Sequence, residues 1–156
     1  MSIEAVRNYL KKYNRENDIL EFGESSATVA LAAKALGTEP GRIAKTLSFK
    51  KDDGCIIVVM AGDVKVDNSK YKHTFGLKAK MLTPQEVIDF TGHEIGGVCP
   101  FALVNADNVY LDESLKRFAT VYPACGSSNS AIELTPDELF ELSSACGWVN
   151  ISKAAE

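Results

Sequence analysis

The chain has 156 residues, 46% hydrophobic and 24% charged, with a net charge of −4, which fits one ordinary globular domain and excludes the disordered and fibrous classes. The acidic excess argues against a non-specific nucleic-acid binder, yet residues 1–80 hold 14 of the 17 Lys and Arg against 10 of the 21 Asp and Glu, while residues 81–156 hold 3 and 11. If folding preserves that asymmetry, one side of the molecule can accept a phosphate backbone over a short footprint.

Ile3, Val6, Leu10 and Tyr13 recur at helical spacing and predict a first amphipathic helix, followed by a short strand over 19–22. The Ala-rich stretch 28–36 predicts a second helix, capped by Ser25 or Ser26 and ended by Gly37. Two strands follow, "RIAKTLSFK" and "CIIVVMAG", joined through Asp53-Gly54, a strong hairpin signal. Residues 67–76 suit a short helix and 77–82 a strand.

"TPQE" at 83–86 and "TPDE" at 135–138 are one device used twice. Thr is the N-cap, Pro occupies the first helical position, and Glu completes a capping box. The first opens a helix through Phe90 and the second a helix to about Cys146. Strands are expected over 102–105, 109–111, 120–123, 131–134 and 148–151, with a turn of helix at 113–117. Strands outnumber helices and short turns join many of them. The expected fold is therefore α/β of the α+β type, a single domain over 1–156 whose curved, barrel-like, mixed and mostly antiparallel sheet carries helices outside.

The start of the chain is amphipathic, with no signal-peptide core, and no run is long enough to cross a bilayer. A cytoplasmic protein with no membrane partner is expected. Cys55, Cys99, Cys125 and Cys146 form no C-x-x-C pair, so reduced thiols are expected and no metal site is supported by spacing.

Two features stand out chemically. Alternation places Lys45 on one face with Ile43, Leu47 and Phe49, where a buried ammonium without a partner is costly. Such a lysine either guards a sheet edge or holds a ligand in a cleft. The loop "TGHEIGGVCPF" at 91–101 carries Gly92, Gly96 and Gly97, able to aim main-chain amides at a carbonyl or a developing oxyanion, or simply to make a turn-rich connection. A Cys99 nucleophile paired with His93 is a further option, against the plain reading of Cys99 as a small core residue.

The segments "TVALAAKALGTEPGRIAKTLSFK", "MAGDVKVD", "TPQEVIDFTGHEIGGVCPFAL", "VYLDESL" and "GSSNSAIELTPDEL" together resemble, in that order, the YbaK family of aminoacyl-tRNA editing deacylases, related to the insertion editing domain of bacterial prolyl-tRNA synthetases. The resemblance spans roughly residues 20–150. It implies hydrolysis of a mischarged aminoacyl-tRNA, Cys- or Ala-tRNA(Pro) being the leading substrates, without metal or diffusible cofactor. The expected partners are the aminoacyl-tRNA 3′ end and a prolyl-tRNA synthetase, and the alternative is a non-catalytic tRNA- or synthetase-binding module. The family's lysine falls on Lys45 and its G-x-x-x-P loop on Gly96 to Pro100. The resemblance implies catalytic roles for Lys45, Gly96 and Gly97. It implies substrate contacts from Thr46, from Val98, Cys99, Pro100 and Phe101 in the loop, and from Ser128 and Asn129. Two departures stand out. "CGSSNSAIEL" lacks the basic glycine-rich pattern usual there, shifting phosphate contact to Lys45, Lys50 and the lysines between 65 and 80. The usual small or glycine residue after "PF" is Ala102, a change expected to matter little.

Overall fold

The computed structural model describes residues 2–106 and 108–155. Helix α1 (Ser2–Lys11) opens the chain, burying Val6 and Leu10 on one stripe. Strand β1 (Leu20–Glu21) follows, then helix α2 (Val29–Leu36), ended by Gly37 at φ 67°. Thr28, not Ser25 or Ser26, caps α2 by accepting from the Leu31 amide at 3.2 Å. The two serines are otherwise engaged: Ser25 accepts from the Ala27 amide and Ser26 donates to the Ser128 carbonyl.

The centre of the molecule is the hairpin of β2 (Ile43–Lys51) and β3 (Gly54–Ala61). Lys51 pairs with Gly54, so the tip is Asp52-Asp53, one residue earlier than expected, with Asp52 in the left-handed region at φ 44°. Strand β4 (Val64–Val66) and helices α3 (Asn68–Phe75) and α4 (Pro84–Thr91) follow. Next come β5 (Val109–Asp112), a 3-10 turn (Glu113–Arg117), β6 (Tyr122–Pro123) and β7 (Ser130–Ala131). Helix α5 (Pro136–Leu142), β8 (Gly147–Val149) and β9 (Ser152–Ala154) complete the fold.

β6, β2, β3, β5 and β8 lie side by side in a curled, half-barrel sheet, with β1·β7 and β4·β9 as small antiparallel pairs. The pairing is mixed and largely antiparallel. The β2·β3 ladder joins eight residue pairs antiparallel, whereas the parallel ladders of β6, β5 and β8 each join two or three. β3 is buried along its length, as its apolar run requires, and Val6, Leu10, Val58, Met60, Leu111, Leu115, Ile132 and Leu139 share the main core. Each fully buried aliphatic side chain of this kind stabilises the fold by about 1.5–3 kcal/mol.

Both capping boxes form, with Thr83 and Glu86 closing one and Thr135 and Glu138 the other. Helix α5 stops at Leu142, four residues before Cys146. Ser144, at φ 54°, turns the chain, and the Cys146 amide is drawn to the Val109 carbonyl. Residues 77–82 form no strand, contributing only the bridge of Met81 to Phe49. Residues 102–105 form none either: Ala102 sits at φ 55°, and the Asn105 amide turns back to the Phe90 carbonyl at 2.9 Å.

Candidate active site

Strand β2 has different neighbours at its two ends. Ile43 and Ala44 pair with β6, while at the far end the Lys50 amide donates to the Lys80 carbonyl (2.8 Å) and the Ser48 carbonyl accepts from the Leu82 amide (3.1 Å). Between them, at residues 45–47, no strand lies against this edge among the described residues. Because the main chain alternates with period two, Thr46, like Ser48 and Lys50, turns its N–H and C=O towards that gap. The Thr46 hydroxyl is itself buried with no hydrogen-bond partner among the described residues.

A cavity of about 270 Å3 occupies the gap. Ala27, Ala32, Ala44, Ala124 and Ala131 bound it together with larger apolar groups such as Ile43, Met81 and Tyr122, beside Lys45, Thr46, Gly96 and Val98. Lys45 pairs across the hairpin with Met60, next to Leu47 opposite Val58 and Phe49 opposite Ile56, so the strand's apolar residues anchor the lysine in the sheet. Its ammonium donates to the Val64 carbonyl. Burial lowers the Lys45 pKa, and the nearby carboxylate of Asp63 opposes that shift. Asp63 is in turn held by the guanidinium of Arg117 at 3.1 and 2.5 Å, which keeps its carboxyl below the usual range.

The glycine loop begins where α4 ends. Gly92 takes φ 78° as the C-cap, Thr91 donates its hydroxyl to the Val87 carbonyl (2.6 Å), and the same oxygen accepts the His93 amide (3.0 Å). Gly96 is at φ 99°, a conformation that favours glycine, and an added Cβ there would stand 3.2 Å from the Ala27 Cβ. Gly97 packs on the 126–127 main chain, where a Cβ would come within 2.8 Å of the Ser127 amide nitrogen. The Gly97 amide is committed to the Glu94 carbonyl at 3.0 Å, while the Gly96 and Val98 amides face no acceptor among the described residues.

The remaining residues singled out from the sequence occupy different places. Cys99, Pro100 and Phe101 are buried behind the loop and not among the residues bounding the cavity. Ser128 and Asn129, with Gly97, line a second cavity on the other side of the loop. Asn129 bonds to the Phe22 carbonyl (3.0 Å) and accepts from Ser127 (3.0 Å). His93, buried, ties the loop down: Nε2 donates to the Phe101 carbonyl at 2.8 Å and Nδ1 accepts from the Ser2 hydroxyl. Cys99 Sγ lies 3.5 Å from His93 Nε2, but burial pushes its thiol pKa up to about 12, the opposite of what a nucleophile needs. Among the described residues no three His, Cys, Asp or Glu side chains converge.

Several of these features escaped the sequence reading. The walls Ala27, Ala124 and Ala131, the gap in the sheet and the Asp63–Arg117 pair are set by contacts between distant segments. The charge asymmetry is partly dissolved by folding, since Arg15 pairs with Glu138, Arg42 with Glu133 and Lys50 with Glu86. Lys65, Lys72, Lys78 and Lys80 stay exposed, and Lys80 precedes Met81 at the cavity. No helix among the described residues is long and apolar enough to cross a membrane.

Residues 23–142 match the aminoacyl-tRNA editing domain family. The uncharacterised protein YwhH of Bacillus subtilis is 57% identical over 154 residues, covering 98% of both chains. A candidate Cys-tRNA(Pro)/Cys-tRNA(Cys) deacylase of Enterococcus faecalis, EbsC, is 28% identical over 78% of this chain and 75% of its own. A solved structure described as a candidate trans-editing enzyme for prolyl-tRNA synthetase superposes with a TM-score of 0.88 at 30% identity, covering 98% of both chains.

Proposed function

Since the chain belongs to the aminoacyl-tRNA editing domain family and is an aminoacyl-tRNA deacylase by that membership, we propose that it acts in trans on mischarged tRNA(Pro), removing cysteine or alanine. The observation that carries this reading is the mostly apolar cavity of about 270 Å3 at the open edge of β2, which holds Lys45 beside Thr46 and Gly96. Such a space has room for a small amino acid beside Lys45. It suits a second sieve behind a synthetase whose apolar site cannot strongly reject smaller misfits. The similarity to the Enterococcus and trans-editing proteins supports the tRNA(Pro) assignment.

The ester is already activated relative to an amide, so positioning and charge stabilisation can suffice without a protein nucleophile. An ammonium has three donors. One of Lys45's goes to Val64, and the others are available for the ester carbonyl or the terminal ribose. In this reading the Gly96 amide, which faces no acceptor among the described residues, donates to the developing oxyanion, and the Thr46 main chain holds the amino acid against the open strand edge. Water, or a hydroxyl or thiol of the substrate, attacks the carbonyl carbon. The ester C–O bond then breaks, freeing the amino acid from the tRNA hydroxyl.

Deacylation of Ala-, Cys- and Ser-tRNA(Pro) by the purified protein, beside Lys45→Ala and Gly96→Ala, tests the proposal. Turnover of at least one of them that both variants lose is the expected result. Salt-sensitive tRNA binding with no turnover of any would instead identify a binding module.

A further inference from the structure

The turn between β3 and β4, which delivers the Val64 carbonyl to Lys45, is held by three other segments. Gly62 packs on the 3-10 turn at Pro40–Arg42, where an added Cβ would stand 2.3 Å from the Pro40 carbonyl oxygen. Gly41 makes the reverse approach, since a Cβ there would meet the Phe118 ring at 2.6 Å and an Asp63 carboxylate oxygen at 3.0 Å. The Asp63 carbonyl accepts the Ala155 amide at 3.3 Å. Its carboxylate takes both terminal nitrogens of Arg117, at 3.1 and 2.5 Å.

Arg117 is braced for that fork. Its Nε donates to the Ser114 carbonyl at 2.9 Å, and its guanidinium carbon lies 4.8 Å from the centre of the Phe118 ring. Ser114 is pinned in turn, its amide donating to the Asp112 carboxylate and its hydroxyl accepting the Ala61 amide. Yet the Arg117 and Asp63 side chains are 47% and 41% exposed, so the ion pair adds little to stability by itself. Its place in the chain points to another role. Asp63 immediately precedes Val64, and its carboxylate acts on the Lys45 charge. A carboxylate left without a partner there would compete with the neutral Val64 carbonyl for the ammonium, because hydrogen bonds to an ionised acceptor are roughly twice as strong.

We infer that Arg117 is a positioning residue for deacylation, which by occupying Asp63 keeps that carboxylate from drawing the Lys45 ammonium out of the cleft. The inference deepens the deacylase reading and rests on it. Lys45 bounds the cavity and Asp63 does not, so an ammonium drawn to Asp63 is drawn away from the substrate. Arg117 and Lys45 are the cations acting on Asp63, and Asp112 and Glu39 the further carboxylates acting on Arg117.

Arg117→Met is expected to lower kcat about tenfold with KM within about threefold, and the double variant Asp63→Asn/Arg117→Met to recover to within about threefold of wild type. Arg117→Lys, which keeps a charge on Asp63 without the fork, should fall between wild type and Arg117→Met. In protein carrying 13Cε-labelled lysine, the Lys45 signal should titrate at higher pH in Arg117→Met than in wild type and fall back in the double variant, since a carboxylate partner favours the charged form. A rise in KM alone would make Arg117 a tRNA contact, and a double variant no more active than Arg117→Met would make the pair plain scaffolding. Either result overturns the inference, as does a Lys45 titration that Arg117→Met leaves unmoved. If no aminoacyl-tRNA is turned over yet the Lys45 signal behaves as stated, the deacylase reading fails and the hold of Arg117 on Asp63 stands.

Discussion

The ammonium of Lys45 donates to the carbonyl of Val64, nineteen residues along the chain, on the strand that follows the β3 turn. The contact crosses from the central hairpin to β4 and fixes where the charge sits. One acceptor and a confined approach suit a compact ammonium and not the longer, planar guanidinium. Lys45→Arg is therefore expected to lose deacylation as completely as Lys45→Ala while remaining folded by circular dichroism. Lys45→Met should be inactive and more stable than wild type near neutral pH, because burial lowers the lysine's folded pKa below 10.5. A base so shifted destabilises the fold while charged in both states, and the cost fades as pH rises through the window between folded and unfolded values. The melting-temperature gap between wild type and Lys45→Met should narrow there.

Thr46 separates side chain from main chain. Its hydroxyl is buried and unpartnered, whereas its amide and carbonyl face the open edge of β2. An unsatisfied buried hydroxyl costs about 1–3 kcal/mol. Thr46→Val, which keeps the shape and removes that group, should raise the urea midpoint and leave kcat/KM within threefold. A loss of tenfold or more would show that the hydroxyl itself reaches substrate.

Lys45 and Gly96 could be singled out in the sequence because their oddity is local: a charge on an apolar alternation, and glycines clustered behind a capped helix. The two capping boxes were visible for the same reason. The cavity was not, because it is a space between partners that meet only on folding, β6 at one end of β2 and residues 80–82 at the other. Ser128 and Asn129 likewise could be named without revealing that they stand across the loop from Lys45. How much of the charge asymmetry survives was hidden for the same physical reason, since Arg42 and Lys50 end beside Glu133 and Glu86.

Ala102 carries a cost that the sequence did not suggest. At φ 55° it occupies the left-handed region, which glycine enters freely and an L-residue with a Cβ does not. The penalty for such a residue is about 1–2 kcal/mol, offset in part by the greater unfolded-state entropy of glycine. Ala102→Gly is expected to raise stability by up to about 1 kcal/mol in urea unfolding. A drop in stability would mean that the methyl's packing outweighs the strain.

His93 makes the loop sensitive to acid. Nε2 donates to Phe101 while Nδ1 accepts from Ser2, an arrangement only the neutral ring can make. Burial lowers its pKa below 6.5, with the bond to Phe101 opposing. A group depressed in this way contributes stability above its unfolded pKa, and that stability is lost as pH falls through the folded one. Wild type should therefore lose stability on acidification below about pH 6.5, the ordinary histidine value. His93→Gln should show a flatter profile over that range at the expense of a lower melting temperature at pH 7.5.

Cysteine chemistry offers a last discrimination. Cys55, Cys99 and Cys125 are buried, and burial raises the thiol pKa of Cys99 to about 12 and that of Cys125 well above its ordinary value. Cys146 is exposed. Iodoacetamide on the native protein at pH 7.5 is expected to add one carbamidomethyl group, mapped to Cys146 by mass spectrometry, and to leave turnover of mischarged tRNA unchanged. Denaturation first should expose all four thiols. Loss of activity in step with modification of Cys99 would replace the Lys45-centred mechanism with a covalent one, because a thiol that reacts so readily must be ionised and within reach of the ester.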